Sequence, residues 1–224
     1  PIQEMPKSLT QAVIATEDTR FFEHPGLDIV GILRAAWTNI RHGGRKVEGA
    51  STITQQLARS LFLSAERTFD RKVRELILAY KMELVLTKEQ ILEMYLNQIY
   101  FGQGAYGVAA ASQTYFGKEL SKLTLAESAF LAGLPKSPSH YSPFKAYDRA
   151  KKRQEHVLSR MAEAGFINAA DRDQIADAKA VFIGRRTFVS RRWRITLRMR
   201  HPHAVLTDLL DLHLREIAHN IGEH

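Results

Sequence analysis

Residues 16–26 read TEDTRFFEHPG, and this stretch sets two neighbouring carboxylates among aromatic rings. Glu17 and Asp18 come first, Phe21 follows, and His24 stands just before the proline and glycine that close the stretch. Acidic and imidazole side chains beside apolar rings are typical of a functional site, because burial shifts their proton affinities. We therefore take residues 16–26 as the candidate site and ask how the flanking chain presents it.

The residues before this stretch predict a helix that ends in it. Ser8 and Gln11 have the spacing of a capping box, which places the start of the helix at Leu9. Leu9, Val13 and Glu17 then share one face at four-residue steps. A carboxylate at the end of an apolar stripe loses hydration, which raises its pKa toward the range of a general base. The alternative at this point is an ordinary surface glutamate in a last helical turn.

The composition fits a folded globular chain with an anionic partner. The 224 residues are 45% hydrophobic and carry a formal net charge of +8, which favours nucleic acid, acidic lipid head groups or a phosphorylated substrate. The lack of cysteine excludes disulfides and thiolate metal sites. No apolar run is long enough to span a bilayer, and the first residue is Pro1, so we expect a fragment or processed chain without its N-terminal anchor.

Two more helices follow the opening stretch. Residues 28–41 are apolar nearly all round with a basic end, which is typical of a buried helix, the default, or of an interfacial one in lipid head groups. Residues 49–56, GASTITQQ, contain a second capping box, Thr52 with Gln55. A helix N-terminus of this kind binds phosphate through free backbone N–H groups, although an ordinary N-cap accounts equally well for the octet.

The longest periodic segment, residues 66–86, predicts a helix with two different faces. The apolar face is expected to pack into the core and consists of Phe69, Val73, Leu76, Ile77, Tyr80 and Leu84. The other face sets a second carboxylate among basic residues, and its members are Glu75, Arg67, Arg71 and Lys72. These charges form either a solvated ladder of ion pairs or a cationic clamp suited to a pyrophosphate.

The segments that follow also read as helices and loops, so the chain is predicted to be mainly α. Capping signals and periodicity predict helices at residues 88–100, 106–116, 125–134, 148–164 and 168–178. Residues 101–107, FGQGAYG, match G-x-G-x-x-G, but no strand precedes them, so we interpret them as an interhelical turn and not a dinucleotide site. Prolines keep residues 135–143 out of any helix and place Lys136 on a loop.

Five stretches, in this order, resemble the five motifs of the family 51 glycosyltransferases. These are the peptidoglycan glycosyltransferase domains of class A penicillin-binding proteins and of monofunctional transglycosylases. The matching stretches are EDTRFFEHPG, GASTITQQ, RKVRE, ILEMYLN and AFLAGLPKSP. The resemblance covers roughly residues 1–178, and we predict a glycosyltransferase domain over residues 1–180. Residues 181–224 form an Arg- and His-rich tail without an assigned role, interpreted as a truncated or frame-disrupted end.

The resemblance implies a fold and a location. The fold is mainly α, a lysozyme-like helical domain with a small membrane-facing jaw subdomain at roughly residues 28–48. The location is the outer face of the bacterial cytoplasmic membrane. The implied partners are lipid II, the growing glycan strand, the membrane surface and other cell-wall synthesis proteins, with no role for nucleic acid.

The resemblance also implies a reaction, the polymerisation of lipid II, a disaccharide-peptide on undecaprenyl pyrophosphate. Glu17 matches the base that deprotonates the 4-hydroxyl of the incoming lipid II sugar, which attacks the anomeric carbon of the growing chain with inversion. Glu75 matches a second essential glutamate near the leaving pyrophosphate. The implied substrate-binding residues are Asp18, Phe21, His24, Ser51, Thr52, Gln56, Arg59, Arg71, Lys72 and Lys136.

Some features depart from the family or lie outside the motifs. Arg59 stands where the family commonly has lysine, and Ser60 where it has asparagine. A divalent cation, Mg or Mn, near the pyrophosphate is a family feature for which this sequence shows no site, and moenomycin is the family's known inhibitor. We expect no transpeptidase domain within these residues, because residues 142–145 fit S-x-x-K by chance and no Lys-Thr-Gly occurs.

Two other functions stay open on the sequence alone. Paired carboxylates in a lysozyme-like helical fold also suit a glycan hydrolase or lytic transglycosylase. The basic residues expected at the site argue against this activity, because a hydrolase has no pyrophosphate to hold. They are Arg59, Arg71, Lys72 and Lys136. A non-catalytic basic module would instead bind nucleic acid or membrane through the Arg-rich tail.

Overall fold

The computed structural model describes residues 1–43, 51–62 and 68–177, and these form a mainly helical domain. The α-helices of this described part are α1 Lys7–Glu17, α2 Ile29–Arg41, α3 Ile53–Phe62, α4 Phe69–Val85, α5 Lys88–Gln98, α6 Val108–Phe116, α7 Leu125–Gly133, α8 Tyr147–Glu163 and α9 Ala169–Asp177. Two 3-10 turns occur at Ile2–Glu4 and Leu120–Lys122. None of the described helices is long and apolar enough to cross a membrane.

The predicted mainly α fold class is confirmed, and local capping explains most helix starts. The capping boxes of Thr87 with Gln90 and of Thr124 with Glu127 are both complete. The cap predicted at Ser8 is wrong, because α1 begins at Lys7 after a proline, and the Ser8 hydroxyl instead lies 3.0 Å from that of Ser128 on α7.

Residues 101–107 contribute to a hairpin, so the prediction of a plain interhelical turn is wrong. Strand β1, Tyr100–Gly102, runs antiparallel to β2, Ala105–Tyr106, and the pair joins α5 to α6. Gly102 and Gly104 have φ of 89° and 79°, in the region that favours glycine, which allows the chain to reverse between the strands. The glycine pattern is therefore explained by backbone geometry.

The core forms where α1 packs against α7 and α8 and where α3 packs against α4 and α5. Leu9 and Val13 of α1 are completely buried, as the four-residue spacing predicted. Ile53 and Leu57 of α3 are buried in the same cluster. The C-terminal end of α1 is joined to α3 by the hydrogen bond between the Glu17 and Gln56 side chains.

The predicted core face of α4 is wrong. Phe69 is 86% exposed, and the other large apolar side chains of that stripe with high exposure are Val73, Ile77, Tyr80 and Leu84. The residues of α4 that are buried are Glu75, Ala79 and Met82. The helix is turned so that its charged position faces inward, and neighbouring cations balance the buried charge.

Helix α2 also differs from the default expectation of burial. Only Gly31 and Ala35 of this helix are buried, while its large exposed apolar residues are Ile29, Val30, Ile32, Leu33, Trp37 and Ile40. An apolar helix surface of this size fits the interfacial alternative. Residues 44–48 of the predicted jaw, Arg67 and the tail at 181–224 lie outside the described residues.

Candidate active site

Glu17 is the last residue of α1, and its two carboxylate oxygens have different surroundings. Oε2 accepts a hydrogen bond of 2.9 Å from the Gln56 side chain of α3. The Gln56 carbonyl oxygen in turn accepts one of 3.1 Å from the Tyr95 hydroxyl of α5, which fixes the amide orientation. Oε1 is buried and has no hydrogen-bond partner among the described residues. The carboxylate is thus held at Oε2, while Oε1 accepts no hydrogen bond from the described residues.

Burial raises the pKa of the Glu17 carboxyl group above its ordinary value. The hydrogen bond from Gln56 and the charges of Arg153, Lys136 and Arg59 act in the opposite direction, but burial is the largest effect. A carboxylate with a raised pKa is a stronger base when ionised. The expectation that the apolar stripe of α1 desolvates this glutamate is therefore confirmed.

Asp18 and His24 join the opening stretch to α3. One Asp18 oxygen lies 2.9 Å from His24 Nε2, and the other accepts a 3.0 Å hydrogen bond from the backbone N–H of Ile53. The Thr52 hydroxyl donates to the Gly26 carbonyl at 2.7 Å and accepts from the Gln55 N–H. Both side chains of the Asp18–His24 pair are buried, so these residues shape the turn around Glu17.

Of the two interpretations left open for the N-terminus of α3, the ordinary N-cap is the one that the hydrogen bonds support. Its leading N–H groups are already bonded to the Asp18 carboxylate and the Thr52 hydroxyl, which is ordinary capping. The capping box is incomplete, because the Gln55 side chain donates to Gly26 and accepts from Lys72. Phe21 is completely buried, with the Lys88 ammonium 4.5 Å from its ring centre.

Glu75 lies at the centre of a cationic cluster that we call the Glu75 cluster, formed by Arg59, Arg71 and Lys72. The carboxylate is completely buried and accepts hydrogen bonds from Arg71 at 2.9 Å and from Lys72 at 2.5 Å. Arg59 of α3 lies 3.9 Å from the same carboxylate. Lys72 also donates to Ser51 at 3.1 Å. Because the glutamate is buried, the solvated charge ladder is the wrong interpretation of this face.

A cleft of about 510 Å³ opens beside Glu17. Of the residues predicted for the site, those lining it are Glu17, Asp18, Ser51, Thr52, Gln56, Arg59 and Lys136. The predicted residues that do not line it are Phe21, His24, Arg71, Lys72 and Glu75. Arg59 connects the two groups, because it lines the cleft and also contacts Glu75.

Arg153 of α8 is a site residue that the sequence analysis missed. Its guanidinium lies 3.8 Å from Glu17 Oε1, donates to the Gly133 carbonyl at 3.1 Å and stands 5.7 Å from the ring centre of Tyr141. A signal existed in the sequence, since Ala150, Arg153 and Val157 share the inward stripe of an amphipathic helix. A charged residue on such a stripe needs a buried partner.

Lys136 lies where the prolines of residues 135–143 placed it, on a loop at the cleft. Burial and the nearby charge of Arg153 lower the pKa of its ammonium group, while Glu17 acts in the opposite direction. Lys136 and Arg153 therefore bring two positive charges to the cleft beside Glu17.

The described side chains do not form a protein-only site for a divalent cation. No group of three or more His, Asp or Glu residues with suitable placement occurs in the part of the chain that the structure describes. Glu75, the carboxylate among the cations, has both oxygens paired with Arg71 and Lys72. The cation implied by the family resemblance stays a prediction, and no step below is assigned to it.

Known proteins match most of this chain. The family model described as Transglycosylase matches residues 1–162. Penicillin-binding protein 1A of Rickettsia typhi is 51% identical over 180 residues, which cover 80% of this chain and 22% of that protein. The proteins of the same name from Neisseria flavescens and Escherichia coli K12 are 54% and 53% identical over 173 residues, covering 77% of this chain and 22% and 20% of theirs.

The chain thus spans about a fifth of the length of the curated relatives it matches. Among solved structures, the crystal structure of penicillin-binding protein 1A from Haemophilus influenzae aligns with a TM-score of 0.46 and 28% identity. This alignment covers 82% of this chain and 18% of that one.

Proposed function

Because the chain belongs to the transglycosylase family, we propose that it is a peptidoglycan glycosyltransferase that polymerises lipid II into glycan strands. The observation that carries the proposal is the pairing of two features. A buried glutamate with a raised pKa lines a cleft, and Arg59 connects that cleft to a cluster of cations suited to a pyrophosphate.

Glu17 is the general base of the proposed reaction. Its Oε1 accepts the proton of the sugar 4-hydroxyl of the incoming lipid II, and the hydroxyl oxygen attacks the anomeric carbon of the growing strand. The bond from that carbon to the pyrophosphate oxygen breaks, and the configuration inverts. Gln56 holds Oε2, so the carboxylate keeps one orientation during the transfer. The neutral Glu17 then returns its proton to water.

The Glu75 cluster stabilises the leaving pyrophosphate. Negative charge grows on the leaving group in the transition state, and preorganised cations lower the barrier without having to reorient. Glu75 holds the Arg71 and Lys72 side chains in place, while Arg59 extends the positive charge into the cleft. Arginine in place of the lysine common in the family adds a planar donor suited to phosphate oxygens.

Helix α2 presents the cleft to a lipid surface. Gly31, Arg34 and Thr38 line the cleft, whereas Leu33 and Trp37 are exposed apolar residues of the same helix. A lipid-linked pyrophosphate has its head group at the depth of such an interfacial helix. We therefore propose that α2 is part of a membrane-contacting jaw, and the outer face of the bacterial cytoplasmic membrane is the location that the family resemblance implies.

The substitution Glu17→Gln tests this proposal. It keeps the shape and the hydrogen bond to Gln56 but removes the base, so polymer formation from lipid II in a gel assay should fall by at least about 100-fold. Glu23→Gln is the matched control, because Glu23 lies in the same stretch with an exposed side chain. Moenomycin, the family's inhibitor, should stop polymer formation by the wild-type protein. Unchanged polymer formation by the Glu17 variant would overturn the assignment.

An assay on the same purified protein distinguishes the proposed polymerase from a glycan hydrolase. A hydrolase or lytic transglycosylase would release fragments from purified sacculi in the absence of lipid II, and we expect no such release. The Glu75 cluster supports the polymerase, because cleavage of a glycan leaves no pyrophosphate.

A further inference from the structure

A second cleft, of about 320 Å³, lies next to the first on the side of α8. It is lined by Lys136, Tyr141, Arg149, Lys152, Arg153 and His156, and we call it the α8 cleft. Four of these six residues are basic and none is acidic. A concave surface with charges of a single sign concentrates its potential and attracts ions of the opposite sign.

The positive charge of the α8 cleft is poorly balanced by the protein. Within the described part of the chain, no carboxylate forms an ion pair with Lys136, Arg149 or Lys152; Arg149 instead contacts His140 at 3.2 Å. Burial first, and then the charges of Arg153, Lys136 and Arg160, lower the pKa of His156. An anionic ligand would relieve that repulsion.

The α8 cleft adjoins the catalytic cleft. Lys136, Arg153 and His156 line both of them. Glu17 contacts both α3 and α8. Its Oε2 accepts a hydrogen bond from Gln56 of α3, and its Oε1 lies 3.8 Å from the Arg153 guanidinium of α8. The Glu75 cluster belongs to α3 and α4, so the two groups of cations approach Glu17 from different elements.

Resting on the proposed function above, we propose that the α8 cleft is an anion subsite for the incoming lipid II, the acceptor of the reaction. The hydroxyl of that molecule must reach Glu17, and the Glu75 cluster is taken by the leaving pyrophosphate of the growing strand. The acceptor carries its own anionic groups, the stem-peptide carboxylates and the pyrophosphate. Paired guanidinium and ammonium groups bind either kind of oxyanion.

The test uses the double substitution Arg149→Gln/Lys152→Gln in the full chain. Both side chains are exposed, and neither is part of the catalytic cleft. A short strand that retains its lipid pyrophosphate is supplied at saturation as donor, and the lipid II concentration is varied. The KM for lipid II should rise by about fivefold or more with kcat within about twofold, because the contact is the same in the ground and transition states.

The matched control is Lys7→Gln/Lys122→Gln, which removes the same charge from exposed positions on other elements. Its KM should stay within about twofold of the wild-type value. A KM for Arg149→Gln/Lys152→Gln no different from that of the control, in an active enzyme, overturns the subsite and leaves the proposed function intact. If the wild-type chain makes no polymer from lipid II, both the subsite and the proposed function are overturned.

A second substrate identifies which anionic group is bound. Lipid II with its stem-peptide carboxylates converted to amides is compared with the unmodified molecule. If the KM difference between wild type and the double variant disappears with the amide substrate, the subsite holds the peptide carboxylates. If the difference persists, the subsite holds the acceptor pyrophosphate.

Discussion

The Glu17 carboxyl group shows how one environment has opposite effects on chemistry and on folding. Its Oε1 is buried and its side chain is only 12% exposed at the end of α1, so water stabilises the ionised form less than it would in an unfolded chain. The same loss of hydration that strengthens the base therefore costs folding free energy whenever the group is charged. Gln56 and the nearby cations reduce this cost but do not remove it.

We expect Glu17→Gln to make the folded protein more stable near pH 7. The folded-state pKa of Glu17 is raised above its ordinary value of 4.5, so its contribution to stability is present below that value and lost as pH rises through the raised pKa. The amide avoids this loss, and the gain should be about 1 kcal/mol, or a few degrees in Tm.

Thermal melts of the two proteins near pH 7 and near pH 4 provide the measurement. The difference in Tm should shrink at the lower pH, because Glu17 is then protonated in both the folded and the unfolded state. A variant that is less stable than wild type at neutral pH would contradict the interpretation of this residue as strained by burial.

At the scale of single elements, α4 has an inner charged position and an outer apolar stripe. The period of its apolar residues indicated a helix correctly, but Phe69 and Ile77 face outward while Glu75 is buried. Periodicity shows that a helix has two faces, and it does not show which face the neighbours cover. Arg59, which comes from α3, is one of the groups that make burial of the glutamate tolerable.

We expect Glu75→Gln to destabilise the protein by about 3 kcal/mol, because it leaves Arg71 and Lys72 without the buried charge that holds them. Polymer formation should fall as well. Asp70→Asn is the control on the same helix, since its ion pair with Arg74 is exposed and should contribute under about 1 kcal/mol.

Urea unfolding of the two variants and the wild type provides the comparison. The free energies of unfolding are extrapolated to water with one m-value for all three proteins. Equal losses for Glu75→Gln and Asp70→Asn would show that the Glu75 cluster is no more important to stability than a surface ion pair.

At the scale of the whole molecule, the candidate site is assembled from elements that are distant in sequence. Glu17 ends α1, Gln56 and Arg59 come from α3, and Lys136 and Arg153 come from the loop before α8 and from α8 itself. The packing of α1 against α7 and α8 is what brings the basic residues to the carboxylate. Gly31, Arg34 and Thr38 of α2 line the same cleft, and the large exposed apolar residues of that helix form the surface that we propose contacts a membrane.

We expect the substitutions Leu33→Ser and Trp37→Ser, made together, to weaken binding to anionic lipid vesicles by about tenfold or more. Each removes exposed apolar surface that a membrane would cover, at roughly 25 cal/mol per Å². The stability of the folded protein should hardly change, because neither side chain is buried.

Co-sedimentation with vesicles measures this binding, and Tyr106→Ser on β2 is the control for loss of an exposed aromatic ring. Equal binding by the α2 variant and the wild type would contradict an interfacial role for this helix.

Local sequence was sufficient for most of the helices, for the caps at Thr87 and Thr124 and for the partial burial of Glu17. Capping boxes such as Thr87 with Gln90, and the spacing of Leu9, Val13 and Glu17, depend on residues a few positions apart, so their effect is readable along the chain. Three features needed contacts between elements remote in sequence. They are the orientation of α4 with Glu75 facing inward, the pairing of Arg153 with Glu17 and the capping of α3 by Asp18. These features depend on which helices pack together, because the energy of a buried charge is set by partners brought there by the fold.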